Sequence, residues 1–200
     1  RDPHVEYDAQ RQLYWALTTA QIDDGERGYG AIALSESPDL KHWQVQAPYF
    51  SHPAFFLMEI PQYVRWQGYE YLLFSAMAEW IRAKYLPEVD ENLEFTTGTY
   101  YFFRADSKDA STSADWQFGG RLCGHPEKME FGFKLIAMKN ECRGMFWYGY
   151  DNMADEQSRF IGALSDPFEV LQGADGRLVV NRSMPALSLI HISEPTRPFH

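Results

Sequence analysis

Residues 62–75 read QYVRWQGYEYLLFS, two apolar-rich runs joined by the polar pair Gln67-Gly68. Each run has the length and the aromatic and β-branched content of a strand, and a short connection that contains glycine is typical of a hairpin. A third strand-like run follows at 98–105 (GTYYFFRA), and a fourth element begins at Trp116. This stretch therefore predicts one four-stranded unit.

The same order of parts occurs on both sides of that unit. Upstream, a hairpin at 4–18 is followed by a strand at 30–35, and downstream a hairpin at 133–150 is followed by a strand at 159–164. Helical periodicity is nearly absent, and aromatic residues make up 16% of the chain. In each unit the predicted fourth strand carries an aromatic residue: Trp43, Trp116 and Phe168.

A four-stranded unit that recurs along a chain is the signature of a β-propeller blade. In such a fold we expect the three aromatic residues of the fourth strands to pack between adjacent sheets. An all-β sandwich would explain strands, but it would not explain the repeated order. The sequence therefore predicts an all-β propeller with about three blades present, fewer than the ~4 to 8 of closed propellers.

Composition narrows the classes of function. The chain has 18 basic and 28 acidic residues and a net charge of −10, which argues against nucleic acid or an anionic membrane as a partner and is compatible with a neutral sugar. No apolar run approaches the ~18 residues that span a membrane. Cys123 and Cys142 have the spacing of neither a disulfide framework nor a zinc site, and we expect both to pack as small hydrophobic residues. No metal or cofactor is predicted, and the cellular compartment stays open.

Two short motifs carry the predicted chemistry, Arg1-Asp2-Pro3 and Glu59-Ile60-Pro61. A proline beside each acid fixes φ and removes a donor, which places the acid at the start of a strand rather than inside a ladder. Two acids that point at a common centre can perform acid–base chemistry on a glycosidic bond. Taken singly, each motif is more simply a turn or a charged strand end.

Together with the blades, these motifs resemble glycoside hydrolase family 32, the β-fructosidases, over roughly residues 1–180. The resemblance implies a five-bladed propeller with three acids around a funnel. It implies that Asp2 stabilises the transition state, that Arg1 is its charge partner and contacts substrate, and that Glu59 is the acid/base. Ile60 stands where the family has cysteine. The family's nucleophile lies in an Asn-Asp-Pro segment with no counterpart here, so the chain is expected to be an inactive fragment.

The surroundings of the two acids suit different roles. A proton donor must keep its proton near neutral pH, and the apolar stretch 55–58 could desolvate Glu59 for that purpose. Asp2 is next to Arg1, whose charge favours an ionised carboxylate. We therefore expect Glu59 to be the proton donor and Asp2 to stay ionised.

Two aromatic residues are weaker candidates for substrate binding. Trp80 follows the second strand of its blade and could form a platform for a sugar, although an aromatic residue that covers the top of the blade is an equally good interpretation. Phe131 begins the innermost strand of the third blade, where the family often places an aromatic residue facing the sugar. Plain core packing is the alternative for Phe131.

We expect residues 1–185 to be a partial catalytic propeller and residues 186–200 to be a non-native or disordered tail. The tail contains SLIHISEPTRP, which resembles a translated sequencing adapter. The expected activity is retaining cleavage of β-fructofuranosyl linkages such as those of sucrose, inulin or levan. The alternatives are a related propeller that acts on arabinosides or xylosides, and a propeller that binds carbohydrate without catalysis.

Overall fold

The computed structural model describes residues 1–86, 95–106, 116–126, 129–149 and 163–182. These residues form three antiparallel sheets that follow one another along the chain. The first contains β1 (His4–Asp8), β2 (Leu13–Ile22), β3 (Tyr29–Ser37) and β4 (Gln44–Val45), with β5 (Phe50–Ser51) paired to β3. The second contains β6 (Glu59–Trp66), β7 (Tyr69–Ala76), β8 (Gly98–Ala105) and β9 (Gln117–Gly124). The third contains β10 (Met129–Ala137), β11 (Cys142–Gly149), β12 (Ala163–Leu164), β13 (Phe168–Gln172) and β14 (Leu178–Asn181).

The second sheet is buried on both faces, and this explains its long apolar strands. Along β7, Leu72 and Phe74 pack into a core shared with the first sheet, while Tyr71 and Leu73 pack into a core shared with the third. Successive side chains of a strand point to opposite faces, so a strand covered on both faces reads as a continuous apolar run. The three sheets are therefore stacked face to face, as the blades of a propeller are.

The two cysteines belong to the second of these cores. Cys123 and Cys142 are free and buried, as the sequence predicts. Burial raises the pKa of each thiol to about 11. Both thiols therefore stay protonated at neutral pH and act as small hydrophobic residues.

The three aromatic residues expected to pack between sheets differ in their surroundings. Trp116 contacts Phe50 of the first sheet, with ring centroids 6.1 Å apart, so its prediction is confirmed. Phe168 stacks on Phe146 of its own sheet and packs against the core between the second and third sheets, so its prediction is also confirmed. The prediction is wrong for Trp43, which is 37% exposed and whose Nε1 donates to the carbonyl of Leu40.

The third sheet corrects one predicted strand. Both β12 and β13 pair with β11, so they are two parts of a single third strand, and β14 is the fourth. The expectation that 168–170 starts the fourth strand is therefore wrong. Residues Ser165-Asp166-Pro167 interrupt the strand without turning it, because Ser165 still pairs with Phe146 through its N–H and its Oγ.

Some predicted features fall outside the described residues. These are the last residue of the predicted hairpin 133–150, residues 159–162 of the predicted strand 159–164 and the tail 186–200. Two short 3-10 helices, Ala78–Trp80 and Ala83–Tyr85, follow β7. Within the described ranges, no helix is long and apolar enough to cross a membrane.

Candidate active site

We call the first strand of each sheet, namely β1, β6 and β10, its inner strand. The inner strand of the second sheet, β6, begins with an irregularity. Glu59 pairs with Ser75 across the sheet, and the ladder resumes at Gln62 with its register shifted by one residue. Between them, Ile60 has a φ of 51°, in the left-handed region that a β-branched residue rarely adopts. The next residue, Pro61, has no N–H to contribute to the ladder. The strand therefore starts with a β-bulge, a feature that can redirect a side chain.

The inner strands of the other two sheets begin in the same way. The left-handed residue is Asp2 in the first sheet, with a φ of 58°, and Gly132 in the third, with a φ of 67°. The carbonyl of Arg1 accepts from the N–H of Thr19, and the ladder then continues in β1 with a shifted register. The position before the left-handed residue is thus occupied, sheet by sheet, by Arg1, Glu59 and Phe131.

This register refines the relation between the two acids. They head equivalent strands, as predicted, but Asp2 corresponds to Ile60 and lies one position beyond the equivalent of Glu59. The residue that corresponds to Glu59 in the first sheet is Arg1. Because the three bulges are alike, side chains from adjacent sheets meet at one end of the inner strands.

Arg1 joins the two acids. Its Nη2 contacts Oε1 of Glu59, and its Nε lies 3.7 Å from Oδ2 of Asp2. The side chain of Glu59 is only 8% exposed, whereas that of Asp2 is 36% exposed. The structure therefore brings Arg1, Asp2 and Glu59 together. One guanidinium lies beside both the shielded carboxylate of Glu59 and the accessible carboxylate of Asp2.

The position of Arg1 gives the carboxylate of Glu59 a cationic neighbour that the sequence did not predict. The apolar residues before Glu59 are indeed buried, since Phe55 and Met58 are fully enclosed. Their burial disfavours a charged carboxylate, but the guanidinium of Arg1 favours it. The sequence suggested Arg1 as the partner of Asp2 alone, and the closer contact with Glu59 was missed because it depends on the shared register of the two bulges.

A further cation at this end was also missed. Lys134, on β10, places its Nζ 3.4 Å from the carbonyl oxygens of both Ile60 and Pro61. Burial lowers the pKa of the Lys134 ammonium, and the charge of Asp2 acts in the opposite direction. The signal in the sequence was a lysine between the apolar residues Phe133 and Leu135 of this inner strand.

The aromatic candidates lie near the same end. Trp80 is half-buried in the loop after β7, and its carbonyl accepts from the N–H of Phe56, which fixes this loop to the segment that leads to Glu59. Phe131 is 7% exposed and occupies the position of Glu59 in the next sheet. A role in sugar binding stays a prediction for both residues. In the described part of the chain, no group of three His, Cys, Asp or Glu side chains could hold a metal ion.

Comparison with known proteins gives a clear answer for the fold. No protein-family model and no curated protein sequence matches the chain. Solved structures do match. A GH32 β-fructofuranosidase from Bombyx mori aligns with a TM-score of 0.65 and 13% identity over 90% of this chain and 36% of its own. An inulosucrase from Halalkalicoccus jeotgali bound to kestose aligns with a TM-score of 0.67 and 18% identity over 90% and 49%. A levansucrase from B. megaterium aligns with a TM-score of 0.66 and 10% identity over 92% and 48%.

The chain has the fold of the fructosidase propellers. The prediction of an all-β propeller with about three blades present is confirmed. The chain spans between about a third and a half of the length of these three structures. At such low identities the likeness establishes the fold, and the activity has to be argued from the site.

Proposed function

We propose that the whole protein is a glycoside hydrolase that cleaves β-fructofuranosyl linkages, such as those of sucrose, inulin or levan, with retention of configuration. The observation that carries this proposal is the meeting of Asp2 and Glu59 on the guanidinium of Arg1 at one end of the inner strands. The fold supports it, because the matched propellers include a β-fructofuranosidase and an inulosucrase bound to kestose.

The two acids suit complementary steps. Glu59, which is shielded, would give its proton to the oxygen of the leaving group and later take one from water. Asp2, which is more exposed, would accept hydrogen bonds from sugar hydroxyls as positive charge develops at the anomeric centre. Arg1 would exchange its contact with Glu59 for contacts with the substrate, which would free the carboxyl of Glu59 for proton transfer.

A retaining mechanism also needs a carboxylate nucleophile. By the resemblance to β-fructosidases, it would come from an Asn-Asp-Pro segment, and these 200 residues contain no such sequence. We therefore assign Glu59 and Asp2 the acid/base and stabilising roles and leave the nucleophile unassigned.

The decisive experiment replaces the carboxyl group of Glu59 by an amide, which has nearly the same shape but cannot donate a proton as an acid. In the whole protein, Glu59→Gln should lower the rate on sucrose by roughly 10²–10⁴-fold, because the leaving oxygen loses its general acid. A fructoside with a very good leaving group needs little protonation, so its fructosylation step should lose much less. Glu141→Gln, at the exposed hairpin turn of the third sheet, is the matched control.

The same assay separates the alternatives. Equal losses on both substrates would remove Glu59 from the acid/base role. Turnover of arabinosides in place of fructosides would favour the related propeller activity, which an endo-arabinase from Bacteroides thetaiotaomicron, aligned with a TM-score of 0.52 and 14% identity, keeps as a second candidate. Binding of sucrose or inulin without turnover would favour a carbohydrate-binding propeller.

A further inference from the structure

The inner edges of the second and third sheets are tied together by side chains of two strands. The amide of Gln62 donates to the carbonyl of Leu135 at 2.8 Å and accepts from its N–H at 2.9 Å. Directly beside this contact, the ammonium of Lys134 reaches back to the carbonyls of Ile60 and Pro61. These carbonyls belong to the bulge that carries Glu59, so Lys134 lies where the direction of that side chain is decided.

Core packing does not account for Lys134. Its neighbours in sequence, Phe133 and Leu135, are buried in the second core, whereas the ammonium of Lys134 lies at the inner edge against backbone oxygens. Placing an ammonium away from water is unfavourable unless oxygen atoms surround it. A methionine would fill the space without that cost, so the charge itself needs an explanation.

Among the residues that the structure describes, three other charged side chains meet at this end, namely Arg1, Asp2 and Glu59. The electrostatic partner of Lys134 among them is Asp2. An ammonium has three donors, of which the two carbonyls of the bulge engage two. The third donor is available to a carboxylate or a sugar hydroxyl.

We propose that Lys134 is a positioning residue for the acid pair: it holds the bulge that carries Glu59 through the carbonyls of Ile60 and Pro61, with its ammonium attracted to the carboxylate of Asp2. This inference rests on the proposed function only for its effect on catalysis. The coupling between Lys134 and Asp2 can be measured without any substrate.

The first experiment measures that coupling in the 200-residue chain. With lysine labelled at 13Cε, NMR signals are followed against pH, and Lys134→Arg assigns the signal of Lys134. We expect Lys134 to titrate below the exposed Lys41 and Lys139, and Asp2→Asn to lower its midpoint further, on the order of half a pH unit. Asp8→Asn, at the far end of β1, should leave it unchanged. A Lys134 signal that titrates with the exposed lysines and ignores Asp2→Asn would overturn the proposal.

The second experiment measures catalysis in the whole protein. Lys134→Met should lower kcat by roughly ten- to a hundredfold with a small change in KM, because a misplaced acid costs rate more than binding. Lys134→Arg should restore much of the rate, and Lys139→Met, in the hairpin turn after β10, should behave as the wild type.

The two experiments distinguish the failures. If the Asp2–Lys134 coupling is found and no fructoside is cleaved, the proposed function fails and the positioning contact stands. If fructosides are cleaved and Lys134→Met keeps the kcat of the wild type, the positioning role is wrong. Thermal unfolding of each variant checks that a lost rate does not come from a lost fold.

Discussion

At the scale of single residues, the site depends on a left-handed conformation that two of three sheets adopt without glycine. Ile60 has a backbone cost of order 1–2 kcal/mol, Asp2 has a smaller one because aspartate adopts this region more readily, and Gly132 avoids the cost. This strain lies at Asp2, which is one of the two acids, and at Ile60, which is next to the other. Strain of this kind concentrates at functional sites, where it fixes a geometry that a regular strand would not give.

Gly132 provides a test of that cost. Gly132→Ala should lower the free energy of unfolding by about 1–2 kcal/mol because of its φ of 67°. The added methyl group would lie 3.4 Å from Cδ1 of Ile60, so a steric clash contributes little. Gly132→Asn should cost less, since asparagine tolerates this region better. Urea denaturation measures both values, and an alanine variant as stable as the wild type would refute the argument.

The sequence identified the two acids but not the cations that lie beside them. The proline that ends each motif indicated that Asp2 and Glu59 lie at the start of strands. The two motifs together indicated acid–base chemistry on a glycosidic bond. The contact of Arg1 with Glu59 could not be predicted, because it follows from a one-residue register shift shared by two sheets. Lys134 was missed because its reach to the second sheet depends on how closely the inner edges approach.

At the scale of elements, a buried polar contact joins the second and third sheets. The hydroxyls of Ser75 and Thr99 lie 2.7 Å apart. Each accepts a backbone N–H from β10, Ser75 from Gly132 and Thr99 from Phe133, both at 3.0 Å. The bulge of the third sheet is thereby held against the strand that pairs with Glu59.

The equivalent position in the first sheet lacks this contact. Thr19 lies opposite Arg1 as Ser75 lies opposite Glu59, yet its Oγ1 is buried and has no hydrogen-bond partner among the described residues. Ser75→Ala should therefore cost about 1–3 kcal/mol of unfolding free energy, because the N–H of Gly132 loses its acceptor and the hydroxyl of Thr99 loses its partner. Thr19→Val should be neutral or slightly stabilising. Chemical denaturation of the two variants side by side tests this, and similar losses would contradict it.

Sequence patterns predicted most elements because the strands alternate or run apolar between turn residues. The strand β8 was predicted with its observed bounds, Gly98–Ala105. The error in the third sheet arose from Pro167, which suggested a turn between two strands. Pairing of Ser165 with Phe146 carries the strand across that interruption, and such a side-chain contact leaves no pattern in the sequence.

At the scale of the whole molecule, two buried carboxylates hold ionic networks inside the stack of sheets. Glu70 accepts from Arg104 at 2.6 Å and from Arg65 at 2.9 Å. Glu130, next to Phe131, accepts from Arg182 at 2.7 Å and from the N–H of Gly124 at 2.8 Å. The second network ties the start of β10 to the end of β9 in the neighbouring sheet.

These networks predict how stability depends on pH. Burial raises the pKa of Glu70 and Glu130, but hydrogen bonds from Tyr63, Arg104 and Arg65 to Glu70, and from Arg182 and Gly124 to Glu130, outweigh it, so both pKa values lie below normal. A depressed folded pKa gives a stabilisation that is complete above the unfolded value of about 4.3 and is lost as pH falls through the folded value.

The free energy of unfolding should therefore decrease as the pH is lowered from 5 to about 3, and Glu130→Gln should flatten that decrease. The variant is expected to be less stable at pH 7, because Arg182 loses its charged partner. Glu141→Gln is the control, since Glu141 lies in an exposed turn and pairs with Arg143 at the surface. Denaturant titrations at a series of pH values provide the slopes. If Glu130→Gln lost stability by the same amount at every pH, so that its slope matched that of the wild type, Glu130 would not be the group whose protonation weakens the junction between the second and third sheets.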